Sequence, residues 1–204
     1  MGNGYLLNPI IFLADTLFGL YILVVMLRLL LQVVRADFYN PFSQFLVKIT
    51  NPLLLPLRKV VPGWGGIDMA SVVLLLILQC LAIIIMALLH GGVLESLSVT
   101  GLLMATVTKL ISLFMYIYFF SLIIVALLSW ISTGGYNPIT ALMSSITEPL
   151  LRPVRNVLPP VGMLDLSVFV TILGLIVARM LIMPPLYALS IHLGFPASLL
   201  RLLY

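Results

Sequence analysis

The sequence predicts an all-α membrane protein with four transmembrane helices that come from two parallel tandem repeats. Of its 204 residues, 63% are apolar and 8% are charged, whereas soluble domains carry about 25% charged residues. The run Met69–Leu89 contains no Asp, Glu, Lys, Arg or His. As a helix, this run covers about 31 Å, which is close to the thickness of the hydrocarbon core of a bilayer.

Four apolar runs have the length of a membrane-spanning helix, namely Ile10–Val34, Met69–Leu89, Leu110–Ile131 and Leu166–Ile182. Helices are expected because backbone groups cannot stay unpaired in hydrocarbon, and the runs lack the alternation of barrel strands. The fourth run meets Pro184-Pro185, where it either ends or kinks and continues towards His192. We expect residues 184–204 to form an apolar interfacial tail that lies against the membrane.

A tandem repeat emerges when the sequence is shifted by 97 residues, because residues 39–68 then align with residues 136–165 without a gap. Fourteen of these 30 positions are identical. The predicted organisation is a first repeat (10–89), a connecting segment (90–109), a second repeat (110–183) and the tail (184–204). Each repeat holds two spans, an even number, so both repeats have the same orientation and both loops lie on one side.

Basic residues predict which side that is. The connection between the second and third runs contains Glu95 and no lysine or arginine as far as residue 108. The two repeat loops carry Arg35, Lys48, Arg58, Lys59, Arg152 and Arg155. The positive-inside rule therefore places both loops in the cytoplasm and both termini outside.

Each loop is predicted to form an amphipathic helical hairpin, that is, two short helices separated by a proline. Asn-Pro at the start of each loop suits a helix N-terminus, and Pro52 or Pro149 would divide the segment. Apolar residues recur at helical spacing, as Phe42, Phe45, Leu46 and Ile49 in the first loop and Ile139, Leu142, Met143 and Ile146 in the second. We expect both hairpins to lie in the headgroup layer beside anionic lipid.

Two aspartates at the ends of the loops are candidate functional residues. Asp68 and Asp165 directly precede the second span of each repeat, where a carboxylate caps free N–H groups and faces the positive end of the helix dipole. The alternative is that they pair with Arg58 and Arg155 around a central site between the copies, which would hold an anionic group or a cation.

Three charged residues within the spans, Asp15, Arg28 and Arg179, are further candidates, because a charge at membrane depth is a functional hypothesis by default. The structural alternative is that they pair or extend towards the interface. Arg28 would reach the cytoplasmic face along its own stem, and Arg179 would pair with Asp15. The functional alternative is an ion pathway, which four spans would form only in an oligomer.

Composition and motifs argue against several classes of function. The chain has two histidines, six carboxylates and one cysteine, Cys80, and these form no hydrolase, phosphate-loop or zinc motif. We therefore expect no enzyme, no catalytic residue, no cofactor and no metal. His90 and His192 are conceivable haem ligands but are expected to be interfacial. The sequence contains no basic stripe, so we expect no direct binding of nucleic acid.

The loop sequences resemble the two copies of the YggT family, also called YlmG. The matching strings are NPFSQFLVKITNPLLLPLRKVVPGWGGIDMAS and NPITALMSSITEPLLRPVRNVLPPVGMLDLS, and the resemblance extends from about Leu20 to Ile182. One departure is Leu55, where the second copy has Arg152. The resemblance implies a bacterial inner-membrane or plastid protein, and members have been connected with osmotic tolerance, with cell division and nucleoid distribution, and with haem attachment to cytochrome b6.

The functional expectation is a multi-pass inner-membrane scaffold or accessory protein. It would present its amphipathic basic loops to membrane lipids and to a membrane-protein partner or a second copy. The alternative is a component of an oligomeric ion channel or transporter.

Overall fold

A computed structural model describes residues 3–91, 97–131, 137–158 and 165–203. Every regular element in these ranges is helical, which confirms the all-α class. The elements are six α-helices and a short C-terminal 3₁₀ helix, Ala197–Leu202. The α-helices are α1 (Asn3–Val33), α2 (Pro41–Arg58), α3 (Met69–Leu89), α4 (Val99–Ile131), α5 (Pro138–Val157) and α6 (Leu166–His192).

Helices α1, α3, α4 and α6 are long and apolar enough to cross a membrane, which confirms the four predicted spans. The bounds of α3 agree with the sequence, whereas α1 and α4 begin earlier than predicted. The apolar run of α4 is interrupted before Leu110 by threonines and Lys109. Within a helix such hydroxyl groups are satisfied locally, as Thr108 shows by donating to the carbonyl oxygen of Met104 at 2.8 Å.

Each repeat loop contains one continuous helix, so the predicted proline-split hairpins are wrong. Helix α2 runs through Pro52 and Pro56, and α5 runs through Pro149 and Pro153. A proline inside a helix removes one hydrogen bond to the carbonyl four residues earlier. In both helices the prolines lie on the exposed face, where water or lipid headgroups can bind the released carbonyl groups, and the helix therefore continues.

At the C-terminal end, α6 passes through Pro184-Pro185 and continues to His192, which is the second of the two alternatives for the fourth run. Residues 184–192 therefore do not belong to an interfacial tail. After His192 the chain turns at Gly194, whose φ is +94°. The remaining tail folds back against the bundle, where Phe195 and Leu199 are buried in one cluster with Ile83 of α3. The tail is thus part of the protein core.

The two repeats share a common core at the loop end of the bundle. Within each repeat the two spans pack together, α1 on α3 and α4 on α6, and α3 and α4 join the repeats. One buried cluster contains Leu46 of α2, Ile146 of α5, Val25 of α1 and Leu74 of α3. Helices α2 and α5 also contact each other. Both amphipathic helices therefore lie at the same end of the bundle, as the parallel repeat predicts.

Candidate functional site

The two amphipathic helices start at equivalent asparagine caps. The side-chain oxygen of Asn40 accepts from the N–H of Phe42 at 2.9 Å, and that of Asn137 accepts from the N–H of Ile139 at 2.9 Å. In addition, Nδ2 of Asn40 donates to the carbonyl oxygen of Pro138 at 2.8 Å. This bond joins the start of α2 to the start of α5, so the Asn-Pro motif fixes the position of one loop helix relative to the other.

Arg28 attaches α2 to the first span. Its side chain is buried, with a relative exposure of 7%, and its Nη1 donates to Oγ1 of Thr50 and, at 2.9 Å, to Oδ1 of Asn51. The same nitrogen lies 3.4 Å from the carbonyl oxygen of Val47. The second repeat has Val125 at the corresponding position, so this link exists in the first repeat alone. Arg28, one of the three predicted intramembrane charges, therefore has a structural role, because it hydrogen-bonds Thr50 and Asn51 of α2.

The first candidate pair, Arg58 and Asp68, forms in the structure. Nε of Arg58 donates to Oδ2 of Asp68 at 3.1 Å, Nη2 donates to the same oxygen at 2.5 Å, and Oγ of Ser71 donates to it at 2.7 Å. Burial raises the pKa of the Asp68 carboxyl, but the hydrogen bonds from Arg58 and Ser71 together outweigh burial, and the pKa lies below its ordinary value. Asp68 precedes α3 but its side chain makes no capping bond.

The second pair repeats this arrangement with two differences. Nε and Nη2 of Arg155 donate to Oδ2 of Asp165 at 3.1 and 2.9 Å. The other oxygen of Asp165 accepts from the N–H of Ser167 at 3.0 Å and caps α6, and Nη1 of Arg155 donates to Glu148 at 3.2 Å. Burial raises the pKa of Asp165, while the hydrogen bonds from Arg155 and Ser167 lower it, and the net shift is downward.

Each pair lies within its own repeat, where it connects the end of the amphipathic helix to the start of the following span. A cavity of about 570 Å³ adjoins the first pair, and all of its lining residues belong to the first repeat. They are Gln32, Arg58, Val61, Gly63, Gly66, Ile67 and Asp68. The glycine turn beside it needs left-handed backbone at Gly65 and Gly66, with φ of +61° and +81°. The corresponding turn of the second repeat, around Gly162, is outside the described residues.

The predicted pairing of Arg179 with Asp15 is wrong. Nη2 of Arg179 donates to the hydroxyl oxygen of Tyr116 at 2.5 Å, and the guanidinium carbon lies 4.1 Å from the centre of the Tyr116 ring. Asp15 is exposed on α1 and interacts electrostatically with Lys109. The physical reason is that α6 packs on α4, whereas α1 packs on α3. Tyr116 was missed because an aromatic residue in a span is typical of packing.

Neither histidine takes part in a ligand cluster within the described residues. Nδ1 of His90 lies 2.8 Å from the carbonyl oxygen of Met86 at the end of α3, and His192 is the last residue of α6. In the part of the chain that the structure describes, no three His, Cys, Asp or Glu side chains come together as metal ligands. The end of the bundle at which α2 and α5 lie combines the two ion pairs with hydrogen-bond donors and exposed apolar groups.

Comparison with known proteins identifies the two structural repeats. The family model described as CCB3/YggT matches residues 7–89 and 104–186, and each match contains one span, one amphipathic helix and a second span. The chain belongs to the CCB3/YggT family. The two matches confirm the tandem repeat, and the family membership agrees with the resemblance of the loop sequences.

Three bacterial proteins resemble the chain over most of its length. An uncharacterized protein of Pseudomonas aeruginosa is 45% identical over 93% of this chain and 94% of its own length. An uncharacterized protein of Vibrio alginolyticus is 43% identical over 86% of this chain and 94% of its own length. The uncharacterized protein YggT of Escherichia coli K12 is 38% identical, over 85% and 89% respectively. No solved structure matches the chain.

Proposed function

We propose that the chain is an accessory or scaffold protein of the bacterial inner membrane, which presents α2 and α5 to a membrane-protein partner. The observation that supports this proposal is the contrast between the two faces of these helices. One face is fixed to the bundle by a stripe of buried residues, by the Arg28 link and by the bond between Asn40 and Pro138. The other face is open.

The open faces combine apolar and basic groups. Phe45 is 53% exposed, and Ile139 is 51% exposed. Other exposed apolar side chains at this end are Leu53, Leu55, Val60, Trp64 and Val157, and the exposed basic ones include Lys48, Arg58, Lys59 and Arg152. Aromatic and arginine residues are enriched at protein interfaces, and lysines next to apolar groups also suit the anionic surface of a bilayer. These faces would therefore contact a partner and the surrounding lipid headgroups together.

The proposed orientation has both loops in the cytoplasm and both termini outside, on the basis of the loop arginines and lysines. The test uses a Cys80→Ala background with a single cysteine at Lys59 or at Val99, which are both exposed and lie at opposite ends of the bundle. A membrane-impermeant thiol reagent applied to intact cells should label the cysteine at position 99 and leave the one at position 59 unlabelled. The reverse pattern would invert the proposed topology.

Photocrosslinking in cells tests the scaffold proposal itself. A photoreactive residue at Phe45 or Ile139 should give a reproducible crosslinked band, identified by mass spectrometry after purification in mild detergent. The matched control is the same residue at Phe169, which is 60% exposed on α6 and should crosslink to lipid alone. In a separate variant without the photoreactive residue, replacement of both Phe45 and Ile139 by Asp should abolish co-purification of the partner that the crosslink identifies, together with the associated function, while membrane insertion persists. Crosslinks to lipid alone at all three sites would refute the scaffold proposal.

An oligomeric ion pathway is the competing proposal, and one observation favours it. Asp15 remains exposed within a membrane span despite its electrostatic interaction with Lys109, and a carboxylate that is exposed to lipid is costly unless it faces water or another protein chain. Ion flux into liposomes that depends on Asp15 and survives the Asp substitutions on α2 and α5 would replace the scaffold proposal with this one.

A further inference from the structure

We propose that the cavity between α4 and α6 is a binding site within the membrane for an amphiphile with an anionic oxygen head group, a carboxylate or a phosphate. The cavity has a volume of about 490 Å³, within the range of small-molecule sites. Ten residues of α4 and α6 line it, among them Tyr116, Leu175, Arg179, Met180, Met183 and Tyr187. The cavity shares no lining residue with the loop ion pairs, and the inference is independent of the scaffold proposal.

The polar chemistry of the cavity centres on Arg179. A guanidinium stays charged and offers five N–H donors in one plane. The hydroxyl group of Tyr116 accepts one of them and its ring lies against the guanidinium, so the cation is held in place by a neutral group. No carboxylate is present among the ten lining residues. A ligand that supplies anionic oxygen would complete the arrangement, and planar two-oxygen groups match the guanidinium geometry.

The depth of Arg179 makes this charge difficult to explain by packing alone. Arg179 lies 13 residues after Leu166 and 13 before His192, which corresponds to about 20 Å from either end of α6. An arginine near the end of a span extends its head into the interface, but the centre of a span is beyond that reach. Ionisable residues at such depth are paired or functional, and among the described residues the hydrogen-bond partner of Arg179 is a neutral tyrosine and not a carboxylate.

The walls of the cavity suit an apolar chain. They extend along α6 from Leu175 to Tyr187, which corresponds to about 18 Å of helix. Met180 and Met183 lie between these two ends, and methionine side chains adapt to apolar partners of different shape. The head group would lie at Arg179, and the chain would run beside the methionines towards the His192 end of α6.

Binding to the purified full-length protein in maltoside detergent tests the inference. The probes are oleate, which carries a carboxylate, and oleoyl lysophosphatidate, which carries a phosphate, with monoolein as an uncharged control of similar chain. Native mass spectrometry or radiolabelled ligand should show one site that prefers an anionic probe to monoolein. Preference for oleate or for the phosphate would support the proposal and name the source of the head group. Equal binding of monoolein would overturn it.

Variants locate the site. Arg179→Gln should weaken binding of the preferred anion by about tenfold or more, since a charge-assisted hydrogen bond is lost. Met180→Trp keeps the charge but fills the cavity from an exposed position, and it should weaken binding even if the arginine variant fails to fold. Arg201→Gln removes an exposed basic residue of the tail and should bind as the natural protein does. Unchanged binding by Met180→Trp, or equal loss in Arg201→Gln, would contradict the assignment.

Discussion

Replacement of Arg28 by leucine should weaken the docking of α2 on the first span while leaving that of α5 unchanged. Arg28 donates to Thr50 and Asn51 of α2 and approaches Val47, and a hydrogen bond that involves a charged group contributes about 1.5–3 kcal/mol. Leucine spares the chain the cost of burying a cation, and Thr50 retains its bond to the carbonyl oxygen of Leu46 at 2.7 Å. We therefore expect the docking of α2 to weaken by about 2 kcal/mol, a factor of about 30 in the open population.

Hydrogen–deuterium exchange in nanodiscs measures this change. Amides of residues 41–58 should exchange about 30-fold faster in Arg28→Leu than in the natural protein, since exchange here reports local opening. Residues 138–157 provide an internal control, because Val125 occupies the position that corresponds to Arg28. Unchanged exchange in residues 41–58 would refute the argument, as would an equal increase in both helices, which indicates global loosening.

Three further predictions concern the pH dependence, the helix caps and the tail. Because the pKa of Asp68 is lowered in the folded protein, its stabilising effect is present above the unfolded pKa, about 3.9, and is lost as the pH falls through the folded value. The melting temperature should therefore fall less between pH 7 and pH 3 in Asp68→Asn than in the natural protein, and an equal fall would contradict this. Asn40→Ala should lower the melting temperature more than Asn137→Ala, since both lose a cap contribution of about 1 kcal/mol but only Asn40 bonds across the repeats; equal losses would exclude a role for that bond. Gly101→Ala should expose the tail to limited proteolysis, because its Cβ would clash with backbone of the tail. The control Gly174→Ala has open space and should resist as the natural protein does, and similar cleavage of both would show that the contact is dispensable.

The spans and the repeat were predictable because each follows from a property of contiguous sequence. A run such as Met69–Leu89 has one stable solution in a bilayer, and an even number of spans per repeat fixes the relative orientation of the loops. The pairing of Arg58 with Asp68 and of Arg155 with Asp165 could also be formulated from the sequence, because each acid follows its arginine by ten residues. Local patterns therefore predicted the fold class. The two ion pairs were one of two alternatives for the aspartates, and the sequence placed them around a central site between the copies, whereas each pair lies within its own repeat.

Features that depend on packing between distant helices were not predictable in this way. The contact of Arg28 with Thr50 depends on how α2 packs along α1, which no contiguous pattern specifies. Arg179 was assigned to Asp15 by depth alone, but depth does not tell which helices are neighbours. An apolar C-terminal tail can lie against lipid or pack against the bundle, as Phe195 does beside Ile83 of α3. Its composition is the same in both cases and therefore did not distinguish them.

The shared core at the loop end bears on how such a chain could arise. A polypeptide with one repeat would leave Leu46 and Val25 without the facing residues that Ile146 and its neighbours supply, and a second parallel copy is what would cover them. Joining two such copies in one gene frees each half to change alone. The two copies differ in this way at Arg28 and Val125. In a symmetric dimer of one repeat every substitution is present in both subunits, so an arginine could not occur in one copy alone.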